Sequence, residues 1–144
     1  MWSMDFVSDA LFDGPRLRAL TVVDAFFREA LATDVDQGIK GEQVVEAMTQ
    51  ITLLGGALRT SRVDERPEFI SMVVDRWADG NGVTIDFSQP GKPTDSTFVD
   101  WFNGRLRDKC LNTHWFMSLE DAWAKIEAKR RDYNESIPHT SLAR

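Results

Sequence analysis

The chain has 144 residues, of which 42% are hydrophobic, so it is long enough for one domain with its own core and too short for two. Its single cysteine, Cys110, excludes an intramolecular disulfide, and with His114 and His139 it makes no zinc-ligand spacing. No apolar run approaches a membrane span and no signal-peptide pattern opens the chain, so we expect a cytoplasmic protein without a membrane partner.

The net charge of −6 argues against a nucleic-acid partner, but the charges are unevenly distributed. Residues 1–100 are acidic, whereas residues 101–144 carry a small basic excess. The basic side chains cluster in two groups: Arg105, Arg107 and Lys109, and then Lys125, Lys129, Arg130 and Arg131. Either cluster could contact DNA phosphates or be an ordinary solvated helix face, and charge alone favours the second interpretation.

The first third of the chain predicts three strands. Residues 2–7 alternate, with Trp2, Met4 and Phe6 on one face and the intervening side chains, including Asp5, on the other. Asp13-Gly14 predicts a hairpin turn into a second strand over residues 17–23. Residues 29–35 predict a third strand, which would complete an antiparallel meander.

Helical and strand patterns then follow one another. A helix is predicted from Gly41 to the Gly55-Gly56 pair, a strand over residues 58–63, and a helix that has Pro67 in its first turn. The apolar stripe predicted for this second helix is Phe69, Ile70, Val73, Val74 and Trp77. Residues 83–87 alternate as a fifth strand, and residues 89–93 have the composition of a loop.

Two helices complete the chain. The first is predicted from Thr94 to Leu111, with an apolar seam and with Asp100, Asn103 and Arg107 on a different face that is free for a cleft. Gly104 within it suggests a packing or access requirement. The second is predicted to start at the capping box of Ser118 and to bury Leu119, Ala122, Trp123, Ile126 and Tyr133. The element order predicts an α/β fold with a five-stranded mixed sheet, a leading antiparallel meander and helices on both faces.

Three carboxylates on three different elements suggest a metal site. Asp64 ends a predicted strand, Asp100 lies on a predicted helix with thirty-five residues between the two, and Asp5 lies on the first strand. Carboxylates gathered in this way are typical ligands of Mg²⁺ in metal-assisted phosphoryl transfer.

Several motifs together resemble one family. They are Trp2-Ser3-Met4-Asp5-Phe6-Val7, Leu20-Thr21-Val22-Val23-Asp24, Val63-Asp64-x-x-Pro67-Glu68-Phe69, Phe102-Asn103-Gly104-Arg105-Leu106-Arg107-Asp108 and Tyr133-Asn134-x-x-x-Pro138-His139. In this order they resemble the integrase-type (DDE, retroviral-integrase-like) catalytic core of insertion-sequence transposases. The resemblance runs across the whole chain and implies a ribonuclease-H-like fold. We expect residues 1–144 to be a single catalytic core domain, without the DNA-end-binding region that such transposases normally carry upstream.

The resemblance also implies a site and its partners. Asp5, Asp64 and Asp100 would be the catalytic and metal-binding residues, holding two Mg²⁺ or Mn²⁺ ions when DNA is bound. Lys92, Asn103 and Arg107 are candidate DNA contacts. The implied partners are transposon-end and target DNA and a second copy of the chain in a homodimer.

This sequence departs from the family pattern at the metal site. Asp100 stands where the family has glutamate, and Glu65-Arg66 follow Asp64 where the family has Asn-Gly. Three functions therefore stay open: a DNA-transposition enzyme, a catalytically decayed fragment that only binds DNA or dimerises, and a metal-dependent nuclease that cuts without joining.

Overall fold

The computed structural model describes residues 2–24, 28–54, 60–63, 69, 71–87 and 97–136. Five strands form one sheet in the order β3-β2-β1-β4-β5, with β1 antiparallel to β2, β2 antiparallel to β3, and β4 parallel to both β1 and β5. The strands are β1 Trp2–Ala10, β2 Arg16–Asp24, β3 Ala30–Asp36, β4 Thr60–Val63 and β5 Thr84–Phe87. The helices are α1 Gly41–Leu53, α2 Met72–Asn81, α3 Thr97–Leu106, which continues as a π-helical segment Arg107–Leu111, and α4 Leu119–Ser136.

The β1–β2 hairpin forms as its turn residues predict. The Gly14 N–H donates to the Leu11 carbonyl at 3.0 Å, and Gly14 has a φ of 105°, which glycine adopts without a steric penalty. The register then pairs Asp5 with Thr21 in the middle of the two strands. The hairpin therefore places Asp5 in the interior of the sheet and away from its edges.

Alternation along β1 divides the core into two layers. Trp2, Met4 and Phe6 pack with α1 and α2 on one face of the sheet. Val7 packs on the other face with α3, the π-helical segment and α4. Because successive side chains on a strand point to opposite faces, Asp5 points towards α3, as the alternation predicts.

The predicted start and apolar stripe of α2 need correction. The helix is capped by Ser71, whose Oγ accepts a 3.2 Å hydrogen bond from the Val74 N–H, so buried Phe69 lies before the helix. Val73, predicted to face the core, is exposed because the buried face of the helix is centred on Val74 and Ala78, four residues apart. Pro67 lies outside the described residues.

The α3 and α4 predictions are confirmed in part. Residues 94–96, predicted as the start of α3, lie outside the described chain, and the α-helical hydrogen-bonding pattern ends at Leu106. Ser118 caps α4 by accepting from the Asp121 N–H at 3.0 Å, as predicted. Trp123, predicted to be buried, is 49% exposed, because Ala122 and Ile126 take the inward positions. No helix among the described residues is long and apolar enough to cross a bilayer.

Candidate active site

Asp5 is the half-buried acid at the centre of the sheet. The Asp5 carbonyl accepts a 3.2 Å hydrogen bond from the Thr21 hydroxyl on β2, and Thr21 is itself buried. Backbone pairing on β1 and this side-chain contact fix the position of the strand. The carboxylate of Asp5 consequently projects from a rigid part of the molecule towards α3.

Asn103 on α3 is the residue that meets Asp5. Its Nδ2 donates to Asp5 Oδ2 at 3.5 Å, which is the outer limit for a hydrogen bond. Its Oδ1 is buried and has no hydrogen-bond partner among the described residues. A buried amide oxygen beside a carboxylate is a hard oxygen donor that faces the same space.

Asp100 on α3 and Arg107 at the start of the π-helical segment flank Asn103. Asp100 is exposed in the first turn, three residues before Asn103, so the two side chains lie on neighbouring positions of one helix face. The exposed Arg107 guanidinium donates to the carbonyl of Ser8 on β1 at 3.3 Å. The structure therefore brings Asp5, Asn103 and Arg107 together along the β1–α3 boundary, with Asp100 one turn earlier.

The other predicted site residues, Asp64 and Lys92, lie outside the described residues. Val63, the last residue of β4, pairs with Met4 across the parallel β1–β4 ladder. The residues that precede Asp64 and Asp5 are thus neighbours in the sheet. This pairing is the structural observation nearest to the predicted triad.

The described residues offer oxygen donors that suit a hard cation, but they do not form a complete metal site. Among them, no three His, Cys, Asp or Glu side chains are arranged to hold a metal ion, and Asp64 lies outside them. The donors at hand are carboxylate and amide oxygens, which Mg²⁺ and Mn²⁺ prefer. Burial raises the pKa of the Cys110 thiol, which stays protonated at neutral pH and is no competing thiolate ligand.

The second basic cluster is largely neutralised within α4. Lys125 lies 2.9 Å from Asp121, and Lys129 lies 2.9 Å from Asp132. Arg130 pairs with Glu127, which Arg131 also approaches. These pairs favour the interpretation of this cluster as a helix face with internal salt bridges.

Comparison with known families agrees with this arrangement. Two models, both described as integrase core domain, match residues 1–93 and residues 81–144. This chain belongs to the integrase core domain family. The predicted resemblance is confirmed, and the two matches together cover the chain from end to end.

Curated relatives of this integrase core domain are encoded by insertion elements. The chain is 48% identical to the insertion element IS407 uncharacterized 31.7 kDa protein of Burkholderia multivorans, over 99% of the chain and 51% of the relative. It is 44% identical to the insertion element IS476 uncharacterized 39.2 kDa protein of Xanthomonas euvesicatoria, over 99% of the chain and 41% of the relative. The chain spans about half the length of the curated relatives it matches.

Solved structures show that the fold is that of retroviral integrase cores. The catalytic core domain of BIV integrase aligns with a TM-score of 0.62 at 14% identity, over 98% of this chain and 97% of that one. The HTLV-2 integrase catalytic core domain in complex with magnesium aligns with a TM-score of 0.64 at 18% identity, over 87% and 80% of the two chains. The ribonuclease-H-like fold expected for the integrase core domain is therefore present.

The structure gives Asn103 a contact that the sequence did not predict. The DNA contact suggested for Asn103 stays a prediction, and the integrase core domain places its amide half-buried against Asp5. One sequence signal pointed to this contact. Asn103 lies three residues after Asp100, on the helix face that does not carry the apolar seam. Which strand that face meets could not be read from helical spacing.

Proposed function

We propose that this integrase core domain is the catalytic core of an insertion-sequence transposase that transfers phosphodiester bonds at DNA ends. The observation that carries the proposal is the contact between Asp5 on β1 and Asn103 on α3, one turn after Asp100. The pairing of Val63 with Met4 supports it, because Val63 directly precedes Asp64 in the sequence and lies beside the strand that holds Asp5. Its membership of the integrase core domain family supports the reaction class.

The proposed site has two kinds of residue. Asp5, Asp64 and Asp100 would hold two divalent ions, which when bound would activate the attacking oxygen and stabilise the leaving oxygen. Asn103 orients the Asp5 carboxylate through its Nδ2. Lys92 and Arg107 would contact DNA phosphates, a role that suits the exposed guanidinium of Arg107 beside β1.

The proposal is tested by incubating the protein with Mg²⁺ or Mn²⁺ and labelled transposon-end DNA. Asp5→Asn and Asp64→Asn should each lower cleavage and joining by about 10³-fold, because each would remove a metal ligand worth several kcal/mol in the transition state. Arg131→Gln on α4 is the control and should leave the rate unchanged. A wild-type protein that binds no metal and processes no DNA would contradict the enzymatic proposal.

Asp100 carries the alternative proposal of a catalytically decayed DNA-binding module. Its carboxylate is one methylene shorter than the glutamate of the family and starts from the exposed first turn of α3. If the shorter side chain of Asp100 is all that limits the reaction rate, Asp100→Glu should raise that rate by up to about 10²-fold. Salt-dependent DNA binding without cleavage, unchanged in Asp100→Glu, would support the decayed module.

We also propose that the chain forms a homodimer. The HTLV-2 integrase core has been solved with magnesium in dimeric and trimeric forms, which supports self-association in this fold. Light scattering after size exclusion tests the proposal, and a single monomeric species over a wide concentration range would contradict it.

The nuclease alternative has its own test. Products formed with and without a free 3′-hydroxyl acceptor separate joining from simple nuclease activity.

A further inference from the structure

Three large apolar side chains are exposed together at the tip of the β1–β2 hairpin. Phe12 is 50% exposed in the hairpin turn. Trp115 and Met117, in the connection between the π-helical segment and α4, are 76% and 56% exposed. The Phe12 N–H donates to the Phe116 carbonyl at 2.8 Å, so the turn and the connection lie side by side. Phe12, Trp115 and Met117 are named here the apolar patch.

The backbone that carries the apolar patch is held in place. Lys125 on α4 donates to the Trp115 carbonyl at 3.1 Å, and the Met117 N–H donates to the Asp121 carboxylate at 2.9 Å. Phe116, between the two exposed residues, is buried and anchors the connection in the core. Large apolar side chains on an ordered backbone are characteristic of a binding surface, because little conformational entropy is lost when a partner docks.

A cavity between the turn and the connection gives the apolar patch depth. It has a volume of about 390 Å³, and its lining includes Phe12 and Trp115 together with Asp9, His114 and the buried Phe116. A pocket beside exposed aromatic rings is the usual setting for an anchoring side chain of a protein partner.

The charges around the apolar patch indicate the kind of partner. The two segments that form it, residues 9–16 and 112–121, contain four acids and, besides His114, one basic residue, Arg16. The acids are Asp9, Asp13, Glu120 and Asp121. Lys125, which reaches this region from α4, is paired with Asp121 at 2.9 Å. An apolar surface with an acidic rim is complementary to a basic amphipathic segment, and it disfavours both DNA and a second copy of the same patch.

We propose that the apolar patch docks a basic amphipathic helix of a protein partner. The apolar face of that helix would cover Phe12, Trp115 and Met117 and place one side chain in the cavity, while its basic side chains would meet Asp9 and Asp13. The inference goes beyond the proposed function and does not depend on it, because no residue of the apolar patch is assigned to the metal site or to DNA.

Peptide titrations test the partner's charge and the location of the site together. The probe is a fluorescein-labelled helical peptide with leucines on one face and lysines on the other, and its counterpart carries glutamates in place of the lysines. The lysine peptide should bind at least about tenfold more tightly than the glutamate peptide, and added salt should reduce this difference. Of the five tryptophan indole N–H signals in an NMR spectrum, that of Trp115 should shift during the titration.

Two tryptophan variants complete the test. Trp115→Ala should weaken binding of the lysine peptide by at least about tenfold, as truncation of an aromatic residue at the centre of an interface does. Trp123, 49% exposed on α4, supplies the matched control, and Trp123→Ala should bind the peptide as tightly as the wild type. Trp115→Ala should also keep the wild-type Tm, because its side chain is exposed.

Several results would overturn the docking surface. They are equal affinity for the two peptides, no binding of either, and a Trp115→Ala variant that binds as tightly as the wild type. A Trp115→Ala variant that turns a dimer into a monomer would also overturn it, because a second copy would then occupy the apolar patch. DNA processing by Trp115→Ala should stay at the wild-type rate, so the docking surface and the proposed function fail in separate assays.

Discussion

Helices α3 and α4 pack on the same face of the sheet but use their polar side chains differently. Along α4 the polar groups are engaged by the protein itself: Lys125 pairs with Asp121, and Asn134 binds the edge strand β3. Along α3 and its π-helical continuation, Trp101, Arg105 and Arg107 are exposed, and Arg107 reaches β1. The two helices carry similar basic residues, but Arg107, which follows α3, reaches β1 near the half-buried carboxylate of Asp5.

The contact between Asn134 and the backbone of β3 gives α4 a structural role. Its Oδ1 accepts from the Ala30 N–H at 2.8 Å and its Nδ2 donates to the Ala30 carbonyl at 2.9 Å, as a neighbouring strand would. Arg130 donates to the same carbonyl. Since an uncovered sheet edge can pair with another chain, α4 protects the start of β3. The comparison teaches that a basic helix is a candidate binding surface only where its partners within the fold leave it available.

The largest effect that distinguishes the two helices is expected for Asn103→Ala on α3. Loss of the contact with Asp5 should lower the DNA-processing rate by about 10- to 100-fold, the usual cost of removing a group that orients a metal ligand. As a positioning residue, Asn103 should change kcat and leave KM for DNA nearly unaltered. A raised KM with an unchanged kcat would instead make Asn103 a DNA contact.

The matched change on α4 is Asn134→Ala, which should act on stability. The buried Ala30 N–H would lose its partner, at a cost of about 1–3 kcal/mol in the free energy of unfolding. Urea denaturation measures this cost, and the activity per folded molecule should stay unchanged. A loss of activity without a loss of stability would remove the proposed difference between the helices.

The smallest effect concerns pH and the first turn of α4. Hydrogen bonds from the Met117 N–H and from Lys125 hold the pKa of Asp121 below its ordinary value of 3.8. A lowered folded-state pKa contributes stability above the unfolded pKa, and that stability is lost as the pH falls through the folded value. Asp121→Asn should therefore weaken the acid dependence of the urea midpoint below about pH 4. An identical acid dependence in both proteins would contradict this role.

Much of the fold could be predicted from local patterns. Alternation in β1 assigned Asp5 to the face opposite Trp2, and the two cores confirm this assignment. The turn at Gly14 and the cap at Ser118 were equally predictable, because both depend on residues close in sequence. The errors fell where helical spacing allowed two solutions. Trp123 was predicted as core, although Ala122 beside it takes the buried position.

The sequence by itself determined the element order, the two faces of β1 and the membership of the integrase core domain family, because these follow from short-range periodicity and motif order. Tertiary structure alone decided which polar face meets which strand. It brought Asn103 against Asp5, ninety-eight residues apart, and Asn134 against Ala30, and it left Gly104 in open space. Such contacts depend on how helices pack across the sheet, which no spacing within one helix contains.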